Sequence, residues 1–328
     1  MASQPSPDEY DYREEGCSLF EWPLTDEAKG NDWQLWLGDS CERMGEIEAD
    51  SVGLSVQSPP FVSLFTFSDS IRDLSNNHSA DVFHEQYGYI IRELLRVTMP
   101  GRLACVHCTQ LSRTKSSFGY VGTHDFRGDV IRDYESAGWI YHGEVCVWKD
   151  PQAQAIRTKA QGLMFTTKNK DSAMSRPAYA DYVLLFRKPG DNPVPVKTDV
   201  TNDEWIQWAS PIWFDYGHDE TLGSERHVCP VWMDIKQGDV LNARLAKDSD
   251  DERHISPLQL DLIARCIRLW SNRGELVFDP FGGIGSTVYE AVKLGRRGLS
   301  IELKKTYWAT SVRILRELDG QMHESMLF

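Results

Sequence analysis

The sequence predicts an α/β fold in which helices cover both faces of a mainly parallel β-sheet, and three observations support this prediction. Residues 275–308 have the pattern of a strand, a glycine-rich turn, a helix and a second strand. A further apolar strand, residues 51–57, ends at two prolines, and apolar helices alternate with strands between residues 82 and 148. With 328 residues and 41% hydrophobic residues, the chain can form one large domain with an insertion, or two domains.

The first half of the predicted domain, residues 31–150, contains most of the predicted elements. Residues 1–30 precede it; they are polar and acidic, lack the apolar core of a signal peptide, and are expected to form a flexible arm. The predicted elements of this half are a strand at 33–37, a short helix at 41–47, the strand at 51–57, a helix at 82–98, a central strand at 102–108, a helix within 120–138 and a strand at 141–148.

Residues 151–250 are irregular in pattern and are expected to form an inserted region. Basic, hydroxyl and aromatic side chains alternate here, and residues 151–200 hold 8 basic against 4 acidic residues in a chain of net charge −14. Such a local basic patch can bind a phosphate backbone with an affinity that falls steeply with salt, although a solvated surface explains the charge equally well. A helix at 260–270 then begins the last part, residues 251–328.

Several classes of protein are not favoured by the composition. No apolar run of about eighteen residues could span a membrane. Seven scattered cysteines, an odd number, fit a reducing cytoplasm. Cys105 and Cys108 form a CxxC inside a predicted strand, where positions three apart point to opposite faces, so a metal or redox site is not expected.

The glycine-rich turn predicts a site for a nucleoside. Glycines allow a ligand to approach the backbone closely, and an acid at the tip of the second strand, Glu302, suits two ribose hydroxyls. Val288 stands where a dinucleotide fingerprint has its third glycine, and the turn lacks the lysine of a P-loop. A nucleoside without a pyrophosphate therefore fits better, and an ordinary glycine turn is the alternative interpretation.

The second motif, Ser58-Pro59-Pro60-Phe61, has the parts required to methylate an exocyclic amine. Two prolines end the strand and hold the Ser58 hydroxyl and the Pro59 carbonyl at the carboxyl edge of the sheet, where α/β proteins bind ligands. Two acceptors that take the amine hydrogens localise the nitrogen lone pair, and Phe61 offers a face on which a flipped base stacks. A simple proline turn is the alternative, and the glycine-rich turn argues against it.

The order of these features resembles the β-group of S-adenosylmethionine-dependent amino-methyltransferases of DNA, which act on cytosine N4 or adenine N6. In this group the S/D/N-P-P-Y/F segment comes first, the recognition insertion second and D-P-F-x-G-x-G-S-T last. The resemblance implies a Rossmann-like, mostly parallel seven-stranded sheet with an inserted target-recognition region, and S-adenosylmethionine as cofactor. The chain is also similar to phage and prophage methylases, which implies a bacterial or phage-infected host cell and a place in DNA methylation or restriction-modification.

The resemblance also implies roles for individual residues and no metal. The catalytic set is Ser58, Pro59, Pro60 and Phe61. The implied cofactor contacts are Asp39 near the adenine, Ser256, Pro257 and Gln259 near the methionine end, Asp279, Phe281, Gly283, Gly285, Ser286 and Thr287 in the turn, and Glu302 at the ribose.

The resemblance favours a particular product and leaves rivals. Ser58 is the form usual among cytosine-N4 enzymes, which makes N4-methylcytosine in double-stranded DNA the expected product and N6-methyladenine the second. A protein that keeps the fold but only binds DNA is a rival hypothesis, as is methylation of RNA, protein or a small molecule. The recognition sequence, a restriction partner and assembly as a homodimer stay open.

Overall fold

The protein is described from a computed structural model that covers residues 25–61, 72–76, 80–113, 115–158, 161–209, 231–232, 234–242 and 257–325. The strands are β1 Asp26–Lys29, β2 Trp33–Leu37, β3 Val52–Gln57, β4 Thr98–Thr109, β5 Leu111–Arg113, β6 Gly122–His124, β7 Ile140–Val147, β8 Asp181–Arg187, β9 Val231–Trp232, β10 Leu276–Asp279 and β11 Arg297–Glu302. The helices are α1 Ser40–Arg43, α2 Ala80–Val97, α3 Lys115–Phe118, α4 Phe126–Ser136, α5 Pro151–Thr158, α6 Phe165–Lys170, α7 Asn202–Ala209, α8 Leu260–Trp270, α9 Ser286–Lys293 and α10 Lys305–Ser325.

The main sheet of the described residues has the order β1-β2-β11-β10-β3-β4-β8-β7-β9. Five adjacent strands, β2, β11, β10, β3 and β4, are parallel to one another, whereas β1 is antiparallel to β2 and β8 is antiparallel to both β4 and β7. The predicted α/β fold with a mainly parallel sheet is therefore confirmed. Two short edge strands, β1 and β9, raise the strand number from the expected seven to nine.

Helices pack on both faces of this sheet because their apolar residues recur every three or four positions. One face is covered by α2 and α4, which bury Phe83, Tyr87 and Tyr134 against β4, β8 and β11. The other face is covered by α8, α9 and α10. Each fully buried large apolar side chain contributes roughly 1.5–3 kcal/mol. Among the described helices, none combines the length and apolar character needed to cross a membrane.

Two predicted boundaries are corrected by the sheet. Part of the expected arm, residues 1–30, is ordered, because Asp26–Lys29 pair with β2 as an edge strand; residues 1–24 lie outside the described part. The expected insertion, residues 151–250, is interrupted by β8, which lies between β4 and β7. The basic residues that flank the apolar run of β8 concealed a central strand.

The thiols of the CxxC lie on opposite faces of β4. Cys105 packs with α8, where its thiol hydrogen-bonds that of Cys266, whereas Cys108 joins the core under α2. One ion therefore cannot be bound by both thiols. Burial raises the pKa of each well above its ordinary value.

Candidate active site

A cavity of about 430 Å³ opens at the carboxyl ends of β2, β11, β10 and β3. This volume lies within the range of roughly 300–1,000 Å³ that is usual for small-molecule sites. Segments more than two hundred positions apart meet here, since Ser58–Phe61 and Asp279–Gly283 share its lining. The predicted site residues that line the cavity are Asp39, Ser58, Pro59, Pro60, Phe61, Pro257, Asp279, Phe281, Gly283, Ser286, Thr287 and Glu302.

The glycine-rich turn presents bare backbone to this cavity. Gly283 has a φ of +52°, and a Cβ added there would meet only the Phe281 carbonyl oxygen, 4.0 Å away. Gly282 donates its N–H to the Ile301 carbonyl at 2.8 Å, which fixes the turn to β11. Open space therefore remains beside Gly283, where a side chain would otherwise stand.

Gly285 has a different role, because it does not line the cavity. It caps the N-terminus of α9 with a φ of +88°, and an added Cβ would lie 3.1 Å from the Ser311 Cβ of α10. Its lack of a side chain serves helix packing and the left-handed cap.

Asp279 supports the turn from within the protein. One carboxylate oxygen accepts the Phe281 N–H at 2.9 Å, and the other accepts the Thr287 hydroxyl at 2.8 Å. Burial raises the pKa of Asp279 to about 6, although both hydrogen bonds oppose the shift. The side chain thereby joins the end of β10 to the first turn of α9.

Glu302 lies at the tip of β11 and borders the cavity. Its carboxylate accepts the Gly283 N–H at 2.6 Å and the Lys304 N–H at 2.8 Å. Burial raises the pKa of Glu302 to about 8 against these two hydrogen bonds. Each carboxylate oxygen has lone-pair capacity left to accept a hydroxyl from a ligand.

Gly298 on β11 takes over the packing role that the third glycine has in a dinucleotide fingerprint. Val288 occupies that position on α9, and Gly298 on β11 faces it: a Cβ on Gly298 would lie 2.7 Å from a Val288 methyl carbon. Helix and strand approach closely because the small residue is on the strand. The sequence could have suggested this exchange, since Gly298 opens the predicted second strand.

Asp39 and Ser40 follow β2 at the start of α1. Asp39 accepts the Cys41 N–H at 2.9 Å as the cap of α1, and its other oxygen pairs with Arg72 at 3.1 Å. The Ser40 hydroxyl donates to the Pro280 carbonyl at 2.5 Å, which ties this loop to the glycine-rich turn.

The three residues expected near the methionine end of the cofactor have different positions. Pro257 lines the cavity, as does its neighbour Leu258. Gln259 does not; it is buried and donates to Gln237 at 3.3 Å, because as the first residue before α8 it turns inwards. Ser256 lies outside the described residues.

The aromatic side chain of the SPPF motif stands in a cluster of rings. The Phe61 ring meets that of Phe126 edge-on, with centroids 5.8 Å apart, and lies 6.4 Å from the His107 ring. These neighbours restrict the plane of Phe61 while the side chain borders the cavity.

Ser58 has a partner that sequence reasoning missed. Its Oγ lies 3.0 Å from His107 Nδ1, and His107 Nε2 lies 3.0 Å from an oxygen of Asp181. Lys149 Nζ pairs with the same oxygen at 2.5 Å. In the sequence, His107 lies between Cys105 and Cys108 and carries no signal of its own. The pairing of β4 with β8 that brings Asp181 close was not predicted.

Comparison with known proteins identifies relatives. A family model described as DNA methylase matches residues 52–313. The type II methyltransferase M.MjaI of Methanocaldococcus jannaschii is 23% identical over 302 residues, covering 83% of this chain and 88% of that protein. The type II methyltransferase M.MthZI of Methanothermobacter thermautotrophicus is 24% identical over 295 residues, covering 80% of this chain and 71% of that protein.

Solved structures share the fold. A Thermus thermophilus protein, named as a DNA modification methylase and solved with S-adenosyl-L-methionine, aligns with a TM-score of 0.58 at 20% identity, covering 84% of this chain and 89% of that one. The cytosine-N4-specific PvuII DNA methyltransferase aligns with a TM-score of 0.55 at 19% identity, covering 86% of each chain. At this level of identity the likeness concerns the fold.

Proposed function

The chain belongs to the family of N6- and N4-type DNA methylases, and on this premise we propose that it transfers a methyl group from S-adenosylmethionine to cytosine N4 in double-stranded DNA. One observation carries the proposal: Ser58–Phe61 and the pair formed by Gly283 and Glu302 line a single cavity. The proposed sites for the methyl donor and for the acceptor base thus adjoin each other in one cavity.

The cavity fits a cofactor that contains a nucleoside. The open space beside Gly283 admits a ligand against bare backbone, and Glu302 retains acceptor capacity for ribose hydroxyls. Asp39 would lie near the adenine and Pro257 near the methionine end. When bound, S-adenosylmethionine supplies an electrophilic methyl group on a sulfonium sulfur.

Ser58, Pro59 and Phe61 would prepare the acceptor amine. Such an amine is a weak nucleophile because its lone pair is delocalised into the base ring. The Ser58 hydroxyl and the Pro59 carbonyl would accept the two N–H hydrogens and localise that pair, while the Phe61 ring, fixed by Phe126, stacks on the flipped base. Positioning and exclusion of water then supply most of the acceleration.

Cytosine N4 is preferred over adenine N6 because serine occupies the first position of the motif. Serine is usual in cytosine-N4 enzymes, to which this stretch is similar, whereas adenine-N6 enzymes mostly have aspartate or asparagine. Adenine N6 is the second candidate. A protein that only bound DNA would need neither the motif nor an open glycine-rich turn.

A surface beyond the carboxyl end of β4 is proposed to contact DNA. It consists of the hairpin β5–β6 and residues 162–179, joined by a hydrogen bond from Arg176 to the Ser112 hydroxyl at 3.0 Å. Phe165 on this surface is 77% exposed, and exposed lysines follow it on α6 at Lys168 and Lys170. Exposed apolar rings beside cations suit contacts with bases and phosphates.

The predicted basic patch, residues 151–200, divides between the two ends of the sheet. Lys168, Lys170 and Arg176 lie on the side of the cavity, whereas Arg187 and Lys188 lie at the amino end of β4, because β8 runs antiparallel to it. Only the first group is assigned to DNA.

The direct test is to incubate the protein with methyl-labelled S-adenosylmethionine and unmethylated DNA of mixed sequence, and to identify the labelled nucleoside by mass spectrometry. We expect N4-methylcytosine. Ser58→Ala should lower the rate about a hundredfold, since one preorganised polar contact is worth about 10²–10³ in rate, and should leave the affinity for S-adenosylmethionine unchanged.

Ser51→Ala is the matched control, because Ser51 lies just before the other end of β3 and donates to the Glu48 carbonyl. Label on adenine would overturn the assignment of the base and leave the family assignment intact. The absence of label from DNA of any sequence would overturn the proposed function.

A further inference from the structure

A buried chain of polar side chains leads from the proposed base site into the protein. It runs from Ser58 through His107 to Asp181 and Lys149, with distances of 3.0, 3.0 and 2.5 Å. His107 is 8% exposed and Asp181 is 1% exposed. The mechanism proposed above uses only the first member.

Sheet register produces this chain. Gln57 pairs with Val106, so Ser58 follows β3 beside His107 on β4. On the other side His107 pairs with Val183, which places Asp181, two residues away on the same face of β8, as its diagonal neighbour. Val147 pairs with Asp181, and Lys149 comes two residues later.

The carboxylate of Asp181 sets the direction of its hydrogen bond with His107. Although burial opposes ionisation, His107 and Lys149 lower the pKa of Asp181 to about 2, so the carboxylate is ionised and only accepts. His107 therefore donates from Nε2 to Asp181, and when the imidazole carries no second proton its Nδ1 accepts from the Ser58 hydroxyl. Both Ser58 lone pairs are then left for the amine hydrogens of a base.

A nucleophilic role for Ser58 does not suit this geometry. A serine that attacks a carbonyl needs backbone N–H groups nearby to stabilise the oxyanion. The two residues after Ser58 are prolines, which have no backbone N–H. The residues directly after Ser58 therefore lack the N–H groups that acyl transfer would use.

Methylation of an amine releases a proton that needs an acceptor. The nitrogen supplies the electron pair of the new nitrogen–carbon bond, the pair of the broken sulfur–carbon bond stays on sulfur, and the methylated nitrogen becomes cationic. One N–H proton must then leave to restore the neutral base.

We propose that His107 is the acceptor of this proton, acting through Ser58. The amine proton passes to Ser58 Oγ as the Ser58 hydroxyl proton passes to His107 Nδ1, and the resulting imidazolium is stabilised by Asp181. His107 is thus a positioning residue that also accepts the proton. Asp181 orients the His107 ring through Nε2, and Lys149 pairs with the Asp181 carboxylate. This inference rests on the proposed function, because it needs an amine as the acceptor.

The test compares His107→Asn with the wild type in single-turnover methylation of unmethylated DNA of mixed sequence. Asparagine can keep an acceptor for the Ser58 hydroxyl but cannot take up a proton. We expect the methyl-transfer rate to fall about a hundredfold, within the range of 10²–10⁴ typical of acid–base groups, with KM for DNA and for S-adenosylmethionine unchanged. His142→Asn, at an exposed position on β7, should retain the wild-type rate.

A spectroscopic measurement on the wild type does not depend on the folding of a variant. ¹⁵N resonances of labelled histidine, assigned in the wild type through bonds from its backbone resonances, should show His107 protonated at Nε2 and unprotonated at Nδ1. The reverse tautomer, or a His107→Asn enzyme as fast as the wild type, would overturn the role of His107 and leave the methyltransferase proposal standing. A wild type that labels no DNA would instead overturn the proposed function.

Discussion

Glu302 illustrates how a single residue can join structure and ligand binding. Its carboxylate holds the Gly283 N–H and so shapes the glycine-rich turn, and the same group faces the cavity where a ribose is proposed to bind. Burial raises its pKa to about 8, which means that its ionised form is disfavoured in the folded protein. Its burial therefore costs the folded protein stability at neutral pH.

The pH dependence of stability tests this interpretation. The folded protein holds the Glu302 proton more tightly than the unfolded chain, whose ordinary value is 4.5, so the contribution of Glu302 to stability is greatest below pH 4.5 and is lost as the pH rises towards 8. Glu302→Gln cannot ionise and can still accept the Gly283 N–H. Its melting temperature relative to the wild type should therefore rise by about 2–5 °C between pH 5 and pH 8.

The comparison needs the ligand-free protein and an exposed control. Glu317→Gln, on the exposed side of α10, should melt in parallel with the wild type over the same range of pH. If Glu302→Gln also runs parallel to the wild type, the carboxylate is not disfavoured by its surroundings and the interpretation is wrong.

At the scale of elements, the contact between α9 and β11 shows how a helix can approach a strand closely. Gly298 on the strand leaves space for Val288 on the helix. This reverses the usual placement of the small residue and keeps α9 close enough for the turn to be fixed to Ile301.

Gly298→Ala should therefore destabilise the fold. A Cβ there would lie 2.7 Å from a Val288 methyl carbon and 3.1 Å from the Val288 Cα, so we expect a loss of roughly 1–3 kcal/mol in urea unfolding. Val288→Ala should recover part of this loss in the double variant, because the methyl group is removed.

Gly320→Ala is the matched control, since an added Cβ at this position in α10 would meet no atom within 4 Å. It should leave stability unchanged or raise it by about 0.5–1 kcal/mol, because alanine favours a helix over glycine. Equal effects of Gly298→Ala and Gly320→Ala would contradict the steric explanation.

The sequence predicted elements well where the pattern was local. The helix expected at 260–270 is found at Leu260–Trp270, and the strand expected at 51–57 is found at Val52–Gln57, because apolar spacing alone determines both. β8 was missed because its apolar run lies between basic residues in a region otherwise irregular.

The residues of the candidate site were likewise predictable only where the signal is local in the sequence. Glycines and prolines mark the turns of the site within the sequence, so both motifs could be located, whereas the lining residues from α2 and from residues 72–74 carry no such signal. His107 and Asp181 are brought together by the register of an antiparallel pair, which no local pattern encodes. Gln259 was placed in the site by its spacing in a motif, whereas helix geometry turns it towards Gln237.

At the scale of the whole molecule, an acidic protein must bind a polyanion. The net charge of −14 repels DNA at long range, so binding depends on local cations. On the surface proposed to contact DNA, formed by β5, β6 and residues 162–179, Lys168 and Lys170 are exposed cations.

Lys168→Gln/Lys170→Gln should weaken DNA binding and reduce its dependence on salt. Each lost phosphate contact lowers the slope of log K against log salt by roughly 0.9, so the double variant should lose about 2 from the slope measured by fluorescence anisotropy. Arg187→Gln/Lys197→Gln removes the same charge from the other end of the sheet, because Arg187 pairs with the amino end of β4 and the Lys197 N–H donates to Asn272, just before β10. This variant should leave the slope near that of the wild type. Equal losses in both variants would indicate a general charge effect.

The strand order also has a consequence for biosynthesis. β10 and β11 lie between β2 and β3, yet a ribosome makes them more than two hundred residues later. At roughly 5–20 residues per second, a nascent chain waits about 10–40 s with two unpaired strand edges before the centre of its sheet is made. A prematurely terminated polypeptide therefore lacks the middle of the molecule rather than one end, and no partly translated product can bind the methyl donor.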